Sequence, residues 1–235
     1  MSSSVIVVAA DVFAATAATW ISDRIHAAME ARDECSLALG GGTTPVPVLR
    51  DLVACTIRWA SVAVYFGDER AVPPDHPDSN FGMARRSLLD HVPVRNDRVH
   101  RMEADRPDLA AAAEDYERLL PRRLDILLLG LGPDGHTASL FPGSAALSEV
   151  ARRVVAVPPP PPPIEPRVSR MTITPPVIEA AREVLVLVTG SGKAALLDRI
   201  LDGPPDLAGL PAQIARRGTW ILDHAAASQL HRRDN

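Results

Sequence analysis

Apolar positions along this chain alternate between two spacings. Residues 11–32 carry alanines and larger apolar residues at helical spacing and predict a helix. Cys35–Leu39 is a short apolar run that ends in Gly40, Gly41 and Gly42, a strand feeding a glycine turn. Residues 45–54 then read as helix, with Thr43 or Thr44 as cap and Pro45 at an early helical position. The same alternation continues with a strand at 61–66, helices at 78–90 and 108–120, and strands at 125–129, Val154–Val157 and 184–188. A helix at 193–201 closes the series.

Strands that are almost wholly apolar are buried on both faces. Alternating with helices, they predict an α/β fold: a modified doubly wound, mostly parallel sheet with helices on both faces. In such sheets ligands bind beyond the carboxyl ends of the strands. Four of these strand ends carry polar, glycine-bearing loops: GGGTTP, GDER, GLGPDGH and TGSGK. Their convergence along one edge predicts a single site. The run of six prolines at 158–163 is neither helix nor central strand. It reads as a stiff surface connection inside one domain spanning 1–235, because strand-like sequence follows it. A ligand for an SH3-type groove is the other reading.

Composition narrows the function. The chain has 235 residues, 46% of them hydrophobic, and a net charge of −4, so it is globular and offers no broad basic field to nucleic acid. No apolar run approaches the ~18 residues of a membrane span. The first residues lack the basic start and cleavage site of a signal peptide, and two cysteines form no disulfide framework. A cytoplasmic protein that binds neither membrane nor nucleic acid, a monomer or weak homodimer, is the expectation. The 25 basic residues are 24 arginines and one lysine, Lys193. A surface charge can be either type, whereas a site needing a compact ammonium cannot, so Lys193 stands out before any motif is considered.

The loops carry the chemistry. Gly41, Gly42, Thr43 and Thr44 lie between a strand and a helix, where free N–H groups, hydroxyls and the helix field suit a phosphate. The spacing is neither GxxxxGK[ST] nor GxGxxG. Lys193 sits at a helix start, where the dipole disfavours a cation unless an anion is present. His136 lies in a tight turn two residues after Asp134 and one after Gly135. Histidine with its reference pKa of ~6.5 suits a general base, and a structural capping role is the alternative. Asp68, Glu69 and Arg70 form either a surface ion cluster or a sugar-positioning group, and Ser79–Asn80 has the look of a helix N-cap. No metal-ligand spacing and no Gly-x-Ser-x-Gly elbow is present, so the reading is metal: none, cofactors: none.

Taken in order, LALGGGTTP, VYFGDERAVPPDHPDSNFGMAR, DILLLGLGPDGHTASLFPG, RMTIT, VTGSGKAALL and the tail PAQIARRGTWILDHAAA closely resemble the 6-phosphogluconolactonases, within the family they share with glucosamine-6-phosphate deaminases. The resemblance runs from about Leu37 to Ala227. It implies hydrolysis of 6-phospho-D-glucono-1,5-lactone, with the phosphate on Gly41, Gly42, Thr43 and Thr44, clamped by Arg170 and Lys193. It further implies His136 as general base, Arg70 at the oxyanion, and Asp68, Asn80, Asp134 and Gly135 around the sugar. A base at Asp68 or Glu69 is the competing assignment. Two departures stand out: Gly40 where the family often has Ser, and a long proline run. The deaminases carry a DGHIAFNEP-like loop whose Glu assists ring opening. Here no acidic residue occurs between His136 and Ser148, which disfavours that activity. A sugar-phosphate sensor needs a DNA-binding domain for which there is no room before the first strand.

Overall fold

The computed structural model describes residues 4–230. The elements, in chain order, are β1 (Ser4–Val8), α1 (Phe13–Arg32), β2 (Cys35–Leu39), α2 (Pro45–Val53), β3 (Val62–Phe66), β4 (Asp68–Arg70), α3 (Asn80–Ser87), α4 (Leu109–Leu119), β5 (Ile126–Gly130), β6 (Val154–Val157), β7 (Arg170–Ile173), α5 (Pro175–Ala180), β8 (Glu183–Val188), α6 (Ala194–Leu201) and β9 (Thr219–Asp223).

A six-stranded parallel sheet in the order β1-β9-β8-β5-β2-β3 forms the centre. Every residue of β2 and β3 is buried, as their continuous apolar sequence predicts. Each leucine so buried contributes on the order of 1.5–3 kcal/mol. The helices α1 and α2 pack on one another, and α1 crosses β2, β5 and β9. Trp220, Phe66, Ile21 and Ile25 are among the large side chains sealed in the core. The chain runs outward from β2 to β3 and then resumes at β5 on the other side of β2. The loops after β2 and β5 therefore diverge, which opens the crevice where ligands bind in such sheets.

A second sheet corrects two expectations. Val154–Val157 does not join the parallel sheet. It pairs antiparallel with β7, which pairs antiparallel with β4. GDER is likewise a strand, because Gly67 redirects the chain after one residue and Asp68–Arg70 take up ladder positions opposite Thr172–Arg170. Two strands of the main sheet, β1 and β9, escaped the sequence reading. The first forms the outer edge of the sheet with Val5 and Val7 exposed, and the second has only three apolar residues, Trp220–Leu222, between Thr219 and Asp223. The third helix spans Asn80–Ser87, shorter than predicted, and starts where the Ser79 side chain accepts from the Gly82 N–H. The proline run connects β6 to β7 without regular structure. No described helix is long and apolar enough to cross a membrane.

Candidate active site

A cleft of about 340 Å³ opens at the crevice between the β2 and β5 loops. Gly41, Gly42, Thr43, Thr44, Asp68, Arg70, His136, Arg170 and Lys193 all line it. Of the residues expected at the site, three stand behind the wall instead. Asn80 is buried against the glycine loop, so that a Cβ on Gly41 would overlap its amide, and its Nδ2 donates to the Asp68 carboxylate at 3.0 Å and to the Asp68 carbonyl at 2.8 Å. Asp134 turns its carboxylate to His136. Gly135 is buried, and its carbonyl accepts from the Ala212 N–H. These three position the groups that face the cleft.

His136 and Asp134 form a close polar pair, with Nδ1 2.5 Å from Oδ1, and the His136 N–H also donates to that oxygen at 3.1 Å. Burial pushes the Asp134 carboxyl up, but the hydrogen bond and charge of His136 outweigh it, and the net shift is down. A carboxylate only accepts, so Nδ1 carries the proton and Nε2 is left as the basic nitrogen. Beneath the ring lies Gly132, where any Cβ would collide with the imidazole. Phe141 flanks His136 at 4.7 Å between ring centroids, and its face lies 5.3 Å from the Arg170 guanidinium.

Register places Arg70 directly opposite Arg170 on the neighbouring strand. Like charges opposed across a ladder repel. Burial and then the charge of Arg70 lower the Arg170 pKa, against the pull of Asp68 and Asp134. Arg70 donates to the Asp78 carbonyl at 2.5 Å, and Arg170 donates to the carbonyls of Glu165 and Pro166. The Nε of each is buried without a partner. Lys193 lies in the turn before α6, and burial lowers its pKa while the charge of Asp134 raises it. Two opposed arginines and a half-buried lysine make a cationic pocket fitted to an anion.

Glu69 leaves the site. It is 3% exposed and absent from the cleft lining. Its carboxylate accepts from the N–H groups of Arg70, Asn80 and Phe81 and from the Ser79 hydroxyl. Burial pushes its pKa up, and the backbone donors oppose that. It anchors the start of α3, so a base at Glu69 is corrected to a structural anchor. Glu69→Ala orphans these donors and is expected to lower stability by about 3 kcal/mol, read from chemical denaturation.

Asp68 is held from two sides: Asn80 binds Oδ1, and Ser139 donates to Oδ2 at 2.7 Å. The sequence reading overlooked Ser139, Thr172, Gly132 and Phe141. It also overlooked the wall formed by Pro163, Ile164 and Glu165, which the proline connection delivers to the cleft. At Gly40 a Cβ would stand 2.9 Å from the Leu128 carbonyl oxygen, so the missing hydroxyl accompanies a close approach of β2 to β5.

A family model described as glucosamine-6-phosphate isomerases/6-phosphogluconolactonase matches residues 9–222. The chain belongs to this family. It is 40% identical to the 6-phosphogluconolactonase of Mycobacterium tuberculosis over 94% of this chain and 95% of that protein. It is 38% identical to that of Rattus norvegicus, covering 92% and 89%. Among solved structures, the 6-phosphogluconolactonase of Trypanosoma cruzi superposes with a TM-score of 0.87 at 32% identity, over 99% of both chains. A monomeric glucosamine-6-phosphate deaminase shares the fold, with a TM-score of 0.85 at 22% identity over 96% of this chain and 99% of that one.

Proposed function

We propose that this chain hydrolyses 6-phospho-D-glucono-1,5-lactone to 6-phospho-D-gluconate in the cytoplasm, as a step of the oxidative pentose phosphate pathway. The observation that carries the reading is the His136–Asp134 pair beside the opposed Arg70 and Arg170. The family places lactonases and deaminases on one fold, and this pair with its cationic wall suits the lactone.

Arg170, Lys193 and the loop Gly41–Thr44 hold the phosphate. Asp68, fixed by Asn80 and Ser139, orients the sugar hydroxyls, and the wall from Pro163 to Glu165 closes the side of the cleft. His136 Nε2 takes a proton from water as the oxygen attacks C1. The carbonyl electron pair moves to oxygen, where Arg70 meets the developing charge. Re-forming the carbonyl breaks the bond from C1 to the ring oxygen, which takes the proton from His136. The resulting acid ionises to the carboxylate. A lactone is already an activated ester, so the steps need neither metal nor cofactor.

The test is a coupled assay on freshly made lactone, reading 6-phosphogluconate formation with spontaneous hydrolysis subtracted. Acceleration well above the spontaneous rate is the expected result. A rate equal to it, with ammonia released from glucosamine 6-phosphate, would replace the lactonase by a deaminase.

A further inference from the structure

We propose that the main-chain N–H of Ala138 is a second oxyanion donor, aimed by a strained turn built into the histidine loop. The inference rests on the lactonase reading and adds a group to its site.

Two non-glycine residues among those described have positive φ. Asp33, at 61°, ends α1 and donates its N–H to the Met29 carbonyl, an ordinary helix ending. Ala138, at 48°, ends no helix. It lines the cleft two residues after His136. Thr137 and Leu140 face one another as an isolated bridge, with the Leu140 N–H donating to the Thr137 carbonyl at 3.0 Å. Ala138 and Ser139 are therefore the two central residues of a tight reversal. Only the first has positive φ, a position that favours glycine.

Strain of this kind persists where the surroundings over-determine it, and it clusters at active sites. Both flanks of Ala138 are pinned by buried hydroxyls. The Thr137 hydroxyl donates to the Gly130 carbonyl at 2.9 Å. The Ser139 hydroxyl donates to Asp68 at 2.7 Å, and the Ser139 N–H donates to the Thr172 hydroxyl at 3.1 Å. Thr137, Ser139 and Thr172 are fully buried. The turn is thus tied to β5, β4 and β7 at once and cannot relax without breaking bonds in both sheets.

Three neighbouring amides of the loop are engaged. His136 donates to Asp134, Ser139 to Thr172 and Leu140 to Thr137. The Ala138 N–H meets no acceptor among the described residues. A backbone donor left unmatched at a cleft wall is open to water or to an acceptor on the ligand. The acceptor next to His136 during the reaction is the C1 oxygen. When water adds to C1, that oxygen gains the electron pair of the broken π bond, and the Ala138 N–H and Arg70 share the charge. The load ends when the carbonyl re-forms and the ring oxygen departs with its proton. A fixed dipole has no reorganisation to undergo during the step, which is the advantage of a donor locked by strain.

An amide-to-ester exchange at Ala138 replaces the N–H by oxygen and keeps the methyl side chain. The full-length ester enzyme is expected to lose roughly 10²–10³ in kcat, with KM for the lactone within about twofold, since the phosphate clamp is untouched. Undiminished kcat would overturn the assignment while leaving the lactonase intact. A wild-type enzyme with no lactonase activity would remove both. If the ester chain does not fold, amide NMR of the wild-type protein decides. Adding 6-phosphogluconate should move the Ala138 amide proton downfield, and glucitol 6-phosphate, which lacks the C1 carboxylate, should not. Equal shifts with both ligands would overturn the proposal.

Discussion

Replacing His136 by alanine or asparagine is expected to lower kcat by roughly 10²–10⁴, the usual size of a general-base contribution. The lactone KM should hardly move, because the proposed phosphate clamp of Arg170, Lys193 and the glycine loop lies at other points of the cleft. The fold should persist, as His136 contributes one side-chain hydrogen bond, to Asp134, and is not part of the sealed core. Asp134→Asn should lower kcat in the same direction, because a neutral amide presenting its NH2 to Nδ1 favours the wrong tautomer. A folded His136→Asn enzyme keeping most of its kcat would move the base to Asp68, the one other carboxylate on the cleft wall that the sequence had offered.

Lys193→Met should raise KM about 10- to 150-fold, the effect of losing a charge-assisted contact of roughly 1.5–3 kcal/mol. Slow hydrolysis of unphosphorylated gluconolactone should be unchanged. A pH dependence follows from the same residue. Burial lowers the Lys193 pKa below that of an ordinary lysine, against the opposing charge of Asp134. The ammonium is present at low pH and is lost as pH rises through the depressed value. Affinity for 6-phosphogluconate, read by calorimetry, should therefore fall with alkaline pH before the ordinary lysine range is reached. In Lys193→Arg the fall should disappear. An unchanged KM in Lys193→Met would take the residue out of the site.

How much of this was legible in the sequence depends on the length and continuity of each signal. The strands β2, β3, β5 and β8 are buried apolar runs ending in glycine loops, and that pattern alone announced a parallel sheet with its site at one edge. The antiparallel sheet was hidden because β4 is three residues long and carries a charge at each position. Its strand character comes from Thr172 and its neighbours across the ladder, far away in sequence. Lys193 was visible because composition isolates it. Glu69 misled because a carboxylate beside Asp68 and Arg70 reads as chemistry until the ladder turns it toward the start of α3. Ala138 gave no signal, since a positive φ at alanine is imposed by bonds from Thr137 and Ser139 to three strands, two of them distant in sequence.

The face-to-face placement of Arg70 and Arg170 also bears on the folded protein without substrate. Across the ladder the two charges repel, the Asp68 carboxylate pulls Arg170 the other way, and an anion in the cleft adds to that pull. Ligand and fold are therefore thermodynamically linked through the same two side chains. An anion at a hundred times its dissociation constant raises stability by about 2.7 kcal/mol. Phosphate esters passing through the cleft thus act as folding ligands, and the concentration of free enzyme that survives heat or proteolysis rises and falls with the sugar phosphates around it.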